Sequence, residues 1–212
     1  MRNTNTPVAL EGIPFILVGV LLTSILFLFH WLPAAVALVL TLFVIYFFRN
    51  PRRTIPEDEN AVVAPADGVI IYLGEASEEH LGTVTTKISI FMSVFNVHIN
   101  RVPISGTVLD TFYTRGKFLD VRHERATFEN EQKGLIIETA KGWRVAVVQV
   151  AGLIARRIVC YANKRDWLQR GERYGLIRFG SRLDIYLPPE TTVRVSLGEK
   201  TVAGETILGI LP

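Results

Sequence analysis

The sequence predicts a mainly β chain: a compact antiparallel barrel or sandwich with few short helices, preceded by an N-terminal hydrophobic helical hairpin. Three observations predict it. Residues 13–48 contain no Asp, Glu, Lys or Arg. Beyond residue 60, short runs rich in Val, Ile, Thr, Phe and Tyr recur between glycines and prolines, and many alternate, as in Lys87-Ile-Ser-Ile and Thr192-Val-Arg-Val. No strongly periodic helix longer than about three turns occurs there, so nothing supports the βαβ units of a parallel sheet.

The charge-free block divides at His30-Trp31-Leu32-Pro33 into two apolar runs, 13–29 and 32–48, of 17 residues each. As helix, each reaches about 25 Å, enough for a thin or locally pinched hydrocarbon core. Pro33 suits the start of a second helix and Trp31 the lipid–water boundary. A secretory leader fits the first run poorly, since the amino end is barely basic and a second run follows at once. Arg49, Arg52 and Arg53 follow the second run, which by the positive-inside rule puts that end in the cytoplasm. Whether the hairpin spans the bilayer or only enters it, the rest of the chain is expected at the cytoplasmic face of the cell membrane. Residues 1–48 are the anchor and 49–60, with two prolines, the polar linker.

Residues 61–212 form the expected β domain. Strands are predicted at 68–73, 83–92, 106–113, 134–139, 143–150, 156–161, 183–187 and 192–197, and short helices at 122–132 and 164–169. The only cysteine is Cys160, so no intrachain disulfide forms, and its apolar neighbours make it a core residue. No Cys/His spacing suggests a metal site, and none is expected. The stretch 156–182 holds Arg156, Arg157, Lys164, Arg165, Arg170, Arg173, Arg178 and Arg182 against only Asp166 and Glu172, in a chain whose net charge is +3. Such a balance beside an anchor suits anionic membrane lipids, each cation contributing roughly 1 kcal/mol near that surface. Nucleic acid is not an expected partner, because no binding motif accompanies the charge.

Gly180-Ser181 lies at the end of this stretch, where strand-like sequence resumes. A serine so placed can attack the carbonyl of the residue before it, and glycine leaves that carbonyl unshielded. The pair alone is a common turn, so its neighbours carry the argument. His98 stands in Phe95-Asn-Val-His-Ile-Asn-Arg-Val-Pro103, with Arg101 three residues on. Asp67 stands in the turn-like Pro65-Ala-Asp-Gly68. His123, in a polar stretch, is a weaker candidate for proton transfer.

Pro65-Ala-Asp-Gly68, Asn96-Val-His-Ile-Asn-Arg-Val-Pro103, Gln149-Val-Ala-Gly-Leu-Ile-Ala-Arg-Arg-Ile-Val-Cys160 and Gly175-Leu-Ile-Arg-Phe-Gly-Ser-Arg-Leu-Asp-Ile-Tyr-Leu-Pro188 occur in this order. Together they resemble the short-form phosphatidylserine decarboxylase proenzymes, over roughly residues 45–212. The resemblance implies a self-processing precursor in which Ser181 attacks Gly180. The chain then splits into a β chain, 1–180, and an α chain, 181–212, that remain together as a heterodimer. Ser181 becomes a covalent pyruvoyl group, the pyruvate cofactor. Through a Schiff base it converts phosphatidylserine to phosphatidylethanolamine and CO2. Another serine-headed lipid, such as archaetidylserine, and a higher oligomer stay open. The family pattern puts Asp67 on its aspartate and His98 on the histidine of the decarboxylation step. A second histidine falls on Arg101, which cannot act as an ordinary base. The base for self-cleavage is therefore open between His98, Asp67 acting through water, and His123.

Overall fold

Without charged side chains to hold it in water, the segment after Gly12 is free to be helical, and it forms two helices broken at one residue. The computed structural model describes residues 6–123, 125–153, 157–178 and 180–212. The chain divides at Arg52/Arg53 into two units. In the first, α1 (Ile13–Phe29) and α2 (Trp31–Phe47) are separated by His30 alone, which is extended at φ −160°. Its ring Nδ1 accepts from Leu32 N at 3.1 Å and caps α2. With the 3-10 turn before it, α1 gives an apolar helix over Leu10–Phe29, mean hydropathy 2.5, long enough to cross a membrane; α2 is shorter. Gly19 lets the helices meet, since a Cβ there would lie 3.1 Å from Thr41 Cγ2.

The second unit is built on antiparallel pairing. Its strands are β1 (Ala61–Val63), β2 (Gly68–Glu78), β3 (Thr83–Met92), β4 (Ile99–Arg101), β5 (Gly106–Thr114), β6 (Gln132–Glu138) and β7 (Arg144–Ala151), then β8 (Arg157–Cys160), β9 (Trp167–Leu168), β10 (Arg173–Arg178), β11 (Ser181–Leu187), β12 (Thr192–Val193), β13 (Lys200–Thr201) and β14 (Ile207–Ile210). One curled sheet of eight strands, a half-barrel, runs β13-β2-β3-β11-β7-β6-β5-β9. Two three-stranded sheets, β4-β10-β8 and β1-β14-β12, complete the unit. The mainly β, antiparallel class read from the sequence is the one observed.

β11 is the middle of this construction. It pairs with β3 on one side and β7 on the other, and all seven of its residues are buried. Period-two alternation sends Leu183, Ile185 and Leu187 into the main core with Ile88, Ile90 and Met92 of β3 and Val145 and Val147 of β7. Tyr186 goes to the opposite face, where it meets Ala146, Val148, Val150 and Val121. Both faces are covered, so this antiparallel strand tolerates little unpaired polarity.

Three local expectations are corrected. The helix predicted at 122–132 is only the single turn α3 (Ala126–Glu129), because Asn130 is extended at ψ 157° and β6 begins at Gln132. Residues 164–169 are not helical. Arg165 has φ +76°, Asn163 N donates to Asp166 Oδ2 at 2.8 Å, and Trp167–Leu168 pairs with β5. The strand at 192–197 stops at Val193, where a turn closed by Ser196 N on Glu199 Oε2 takes over. The start of the predicted strand at 156, Arg156, lies outside the described residues.

The basic stretch is not one exposed surface. Arg170 donates to the Ala61 and Pro56 carbonyls, Arg173 to Tyr161 Oη, and Arg182 to Asp184. Arg157, Lys164 and Arg165 are the exposed members among the described residues.

Candidate active site

The Gly180–Ser181 junction is where the chain leaves one sheet for another. β10 belongs to the three-stranded sheet with β4 and β8, whereas β11 is central in the large one. Gly180 makes the corner with φ +46°, a left-handed conformation that costs a residue with a Cβ about 1–2 kcal/mol. Among the described residues nothing lies within 4 Å of where its Cβ would stand, so what glycine serves here is the dihedral angle. At Gly152, just past β7, the requirement is reversed. A Cβ there would collide with the Gly180 carbonyl oxygen and stand 3.0 Å from the Gly180 carbonyl carbon and 3.2 Å from Val121 Cγ1. Gly152 thus opens the room that the Gly180 carbonyl occupies.

Ser181 begins β11, opposite Met92 of β3 and Ala151 of β7, and is fully buried. Its hydroxyl donates to Met92 Sδ at 3.4 Å. Asn100 Nδ2 approaches the same sulfur at 3.8 Å, and Gln149 Nε2 donates to Asn100 Oδ1 at 2.8 Å. A thioether is a weak acceptor. Burying a hydroxyl against it forfeits part of what a strong partner would return, about 1–3 kcal/mol for a wholly unsatisfied group. A buried serine hydroxyl held so lightly is poised to change partner.

His98, 2% exposed, enters β4. Its Nδ1 lies 3.0 Å from the Asn96 carbonyl oxygen, which can only accept. In the neutral ring Nδ1 therefore carries the hydrogen and Nε2 the lone pair. Ile177 N, on β10, donates to the His98 carbonyl at 3.4 Å and ties this residue to the strand that leads into Gly180. The Asn96 side chain shapes the preceding loop by accepting from Ser93 N at 2.8 Å and Ser93 Oγ at 2.9 Å.

Arg182 anchors the other side of the junction. It sits on the face of β11 opposite Ser181 and is 3% exposed. Its Nε lies 2.8 Å from Asp184 Oδ1, and its Nη1 and Nη2 donate to the Val121 carbonyl at 2.8 Å and Thr127 Oγ1 at 2.7 Å. Lys87 Nζ meets the other Asp184 oxygen at 3.2 Å. Removing Asp184 would strand two buried cations, a class of change that costs about 3–5 kcal/mol.

The structure gathers Ser181, Gly180, Asn100, Gln149 and Met92, and joins His98 to the same strands. It does not join Asp67 to Ser181 by a hydrogen bond. The Asp67 carboxylate takes both oxygens' bonds from Arg53 Nη2, at 2.9 and 2.8 Å, and a third from Ala203 N at 2.8 Å. Arg101 belongs to the same ionic group and donates to the Gly171 carbonyl at 2.9 Å. Burial first, and Arg53 next, push its guanidinium below the usual arginine range, with Asp67 acting in the opposite sense. His123 is exposed on a turn closed by its own N–H on the Asp120 carbonyl, with no hydrogen bond to Ser181.

A protein-family profile described as Phosphatidylserine decarboxylase matches residues 40–209. The chain belongs to the phosphatidylserine decarboxylase family. It is 72% identical to the phosphatidylserine decarboxylase proenzyme of Geobacter sulfurreducens, with 100% of both chains covered. The proenzyme of the same description from Geobacter metallireducens is 71% identical over 100% of both chains, and that from Trichlorobacter lovleyi 57% identical over 98% of both. Against this family frame, sequence reasoning missed Asn100, Gln149, Gly152 and Arg53. The first three stand inside the quoted motifs, but an amide on a strand and a glycine after one carry no mark of what faces them.

Proposed function

We propose that this family member is a self-processing phosphatidylserine decarboxylase, whose Ser181 cleaves the chain after Gly180 and becomes the pyruvoyl group. The observation that carries the reading is the pairing of a fully buried, weakly held Ser181 hydroxyl with a left-handed Gly180 whose carbonyl occupies the space left by Gly152. Those residues fit the making of the group. A nucleophile stands next to an unshielded carbonyl carbon, in a site dry enough to protect an ester.

In the proposed course, Ser181 Oγ adds to the Gly180 carbonyl carbon and the Gly180–Ser181 C–N bond breaks. The freed nitrogen takes up a proton, and an ester replaces the amide. Loss of the Ser181 α-proton then expels Gly180 as a carboxylate and leaves dehydroalanine, which tautomerises and is hydrolysed to the ketone and ammonia. His98, with its lone pair on Nε2, is the proposed proton carrier in these steps and in turnover. Asp67 acts at one remove, by fixing Arg53 and the Ala203 loop beside the β4 strand that carries Arg101. Once formed, the pyruvoyl ketone supplies the electron sink for the carbanion left as CO2 departs. The large chain, 1–180, and the small chain, 181–212, stay associated. The apolar hairpin holds the assembly on the membrane, with the β unit on the cytoplasmic face that Arg49 and Arg52 favour and Arg157, Lys164 and Arg165 toward anionic lipid.

Mass spectrometry of the purified protein tests this directly. A fragment of residues 181–212 with a pyruvoyl terminus is expected, absent from Ser181→Ala, which also decarboxylates no phosphatidylserine. His98→Ala is expected to lose turnover whether or not it cleaves. An active chain that remains in one piece overturns the reading.

A further inference from the structure

Beside Ser181 two side-chain amides, Asn100 of β4 and Gln149 of β7, are both fully buried. Their orientation follows from donors and acceptors alone. Gln149 Nε2 lies 3.2 Å from the Val159 carbonyl oxygen, which only accepts, so this end is the NH2 group. The same nitrogen donates to Asn100 Oδ1 at 2.8 Å. Asn100 must therefore turn Nδ2 the other way, onto Met92 Sδ, the sulfur that also receives the Ser181 hydroxyl.

An asparagine buried for structure looks different. Asn130, equally buried, accepts from Leu119 N at 3.0 Å and donates to the Leu119 and Ala151 carbonyls at 2.9 and 2.7 Å. All of its partners are strong. Asn100 instead spends its donor on a thioether, in a dry site that shares one sulfur with the serine.

We propose that Asn100 is a catalytic residue of self-cleavage: its Nδ2–H donates to Ser181 Oγ as that oxygen departs. The proposal rests on the self-processing reading above. In the elimination, the α-proton of Ser181 passes to the base, proposed as neutral His98. The C–H electron pair becomes the second Cα–Cβ bond. The Cβ–Oγ bond breaks with its pair going to Oγ, which leaves as one oxygen of the Gly180 carboxylate. Asn100 transfers no proton; turning from the sulfur that both side chains meet, its Nδ2–H stabilises the negative charge growing on Oγ. Gln149 is a positioning residue, holding the Asn100 amide with Nδ2 on the sulfur that the serine hydroxyl also meets.

The test uses the full-length chain carrying Asn100→Asp, which keeps the volume and the acceptor for Gln149 but removes the donor, and in parallel Asn100→Leu. Folding is checked by circular dichroism. The expected result is an ester that forms and stalls, with elimination slowed about a hundredfold. Hydroxylamine should then split the stalled chain into 1–180 as its hydroxamate and a 181–212 fragment beginning with intact Ser181, weighed by mass spectrometry. Gln149→Met should show the same ester with a smaller delay. Release of a pyruvoyl fragment at the wild-type rate overturns the proposal, as does a folded, uncleaved Asn100→Asp chain that resists hydroxylamine. Failure of the parent reading is separate: the wild-type chain would then yield no pyruvoyl fragment at all.

Discussion

Substituting Gly152 by alanine tests whether the space around the Gly180 carbonyl governs self-cleavage. The new methyl would overlap the Gly180 carbonyl oxygen and crowd both the carbonyl carbon at 3.0 Å and Val121 Cγ1 at 3.2 Å. Two of these neighbours are backbone, and Val121 is itself held through its carbonyl by Arg182, so the relief must come from moving the Gly180 peptide. Overpacking of this kind costs about 1–3 kcal/mol. Its effect on rate is larger, because displacing a reacting carbon by about 1 Å can cost about a hundredfold. Cleavage is followed by denaturing electrophoresis of freshly made protein over time. Stability is measured separately on a Ser181→Ala background, where no cut interferes, and a melting point lower by about 2–10 °C is expected. A Gly152→Ala chain that cleaves at the wild-type rate would refute the reasoning, whatever its melting point.

Gly180→Ala should behave differently: its methyl meets none of the described residues, so the chain folds at a backbone cost of about 1–2 kcal/mol and still cleaves, more slowly, by the same electrophoretic assay. Arg53→Met removes both Arg53 hydrogen bonds from the Asp67 carboxylate, which keeps the Ala203 N–H and the charge of Arg101 nearby. Since the Arg53 and Asp67 side chains are 11% and 14% exposed, the loss in a urea melt should fall at about 2–3 kcal/mol, short of the fully buried case; an unchanged midpoint would show that the pair is idle. Burial pushes the Cys160 thiol above its ordinary range, so at any given pH it is less ionised than a free thiol. Iodoacetamide at pH 8 should label it at least about tenfold more slowly in the native protein than in urea, and equal rates would contradict the burial.

Legibility followed the physics of each element. The strand predicted at 83–92 coincides with β3, because Ile88, Ile90 and Met92, alternating with Lys87, Ser89 and Phe91, share one face in the main core. The hairpin was equally readable, since a long charge-free run has few alternatives. The short helices were misread where a polar, charged stretch forms turns through its own side chains, as Asp166 does with Asn163 N. In the site, Gly180, Ser181 and His98 could be singled out because local order carries their chemistry. Asn100 and Gln149 could not, for a buried amide alternates along a strand just as a solvated one does, and strands of two different sheets bring Asn100 to Gln149 and to Met92. Gly152 was hidden for the same reason, its crowding being set by Gly180, which is distant in sequence. The arginine at position 101 becomes intelligible only beside Arg53 and Asp67, with which it forms one ionic group.

The proposed cut falls where the fold can best bear it. β10 and β11 pair in different sheets, so a break after Gly180 interrupts no ladder. Every residue of β11 keeps its partners, from Ser181 opposite Met92 and Ala151 to Leu187 opposite Thr86. Leu183, Ile185 and Leu187 stay fully buried, together contributing about 5–9 kcal/mol at the usual value for such side chains. Further along the small piece, β14 lies between β1 and β12 and holds it to a second sheet. Arg182, fastened to Asp184, Val121 and Thr127, would then keep the new terminus at Ser181 from fraying. A serine placed one strand earlier, inside a continuous ladder, would have had to break sheet pairing to reach the carbonyl of the residue before it; at this corner it has only a left-handed glycine to turn.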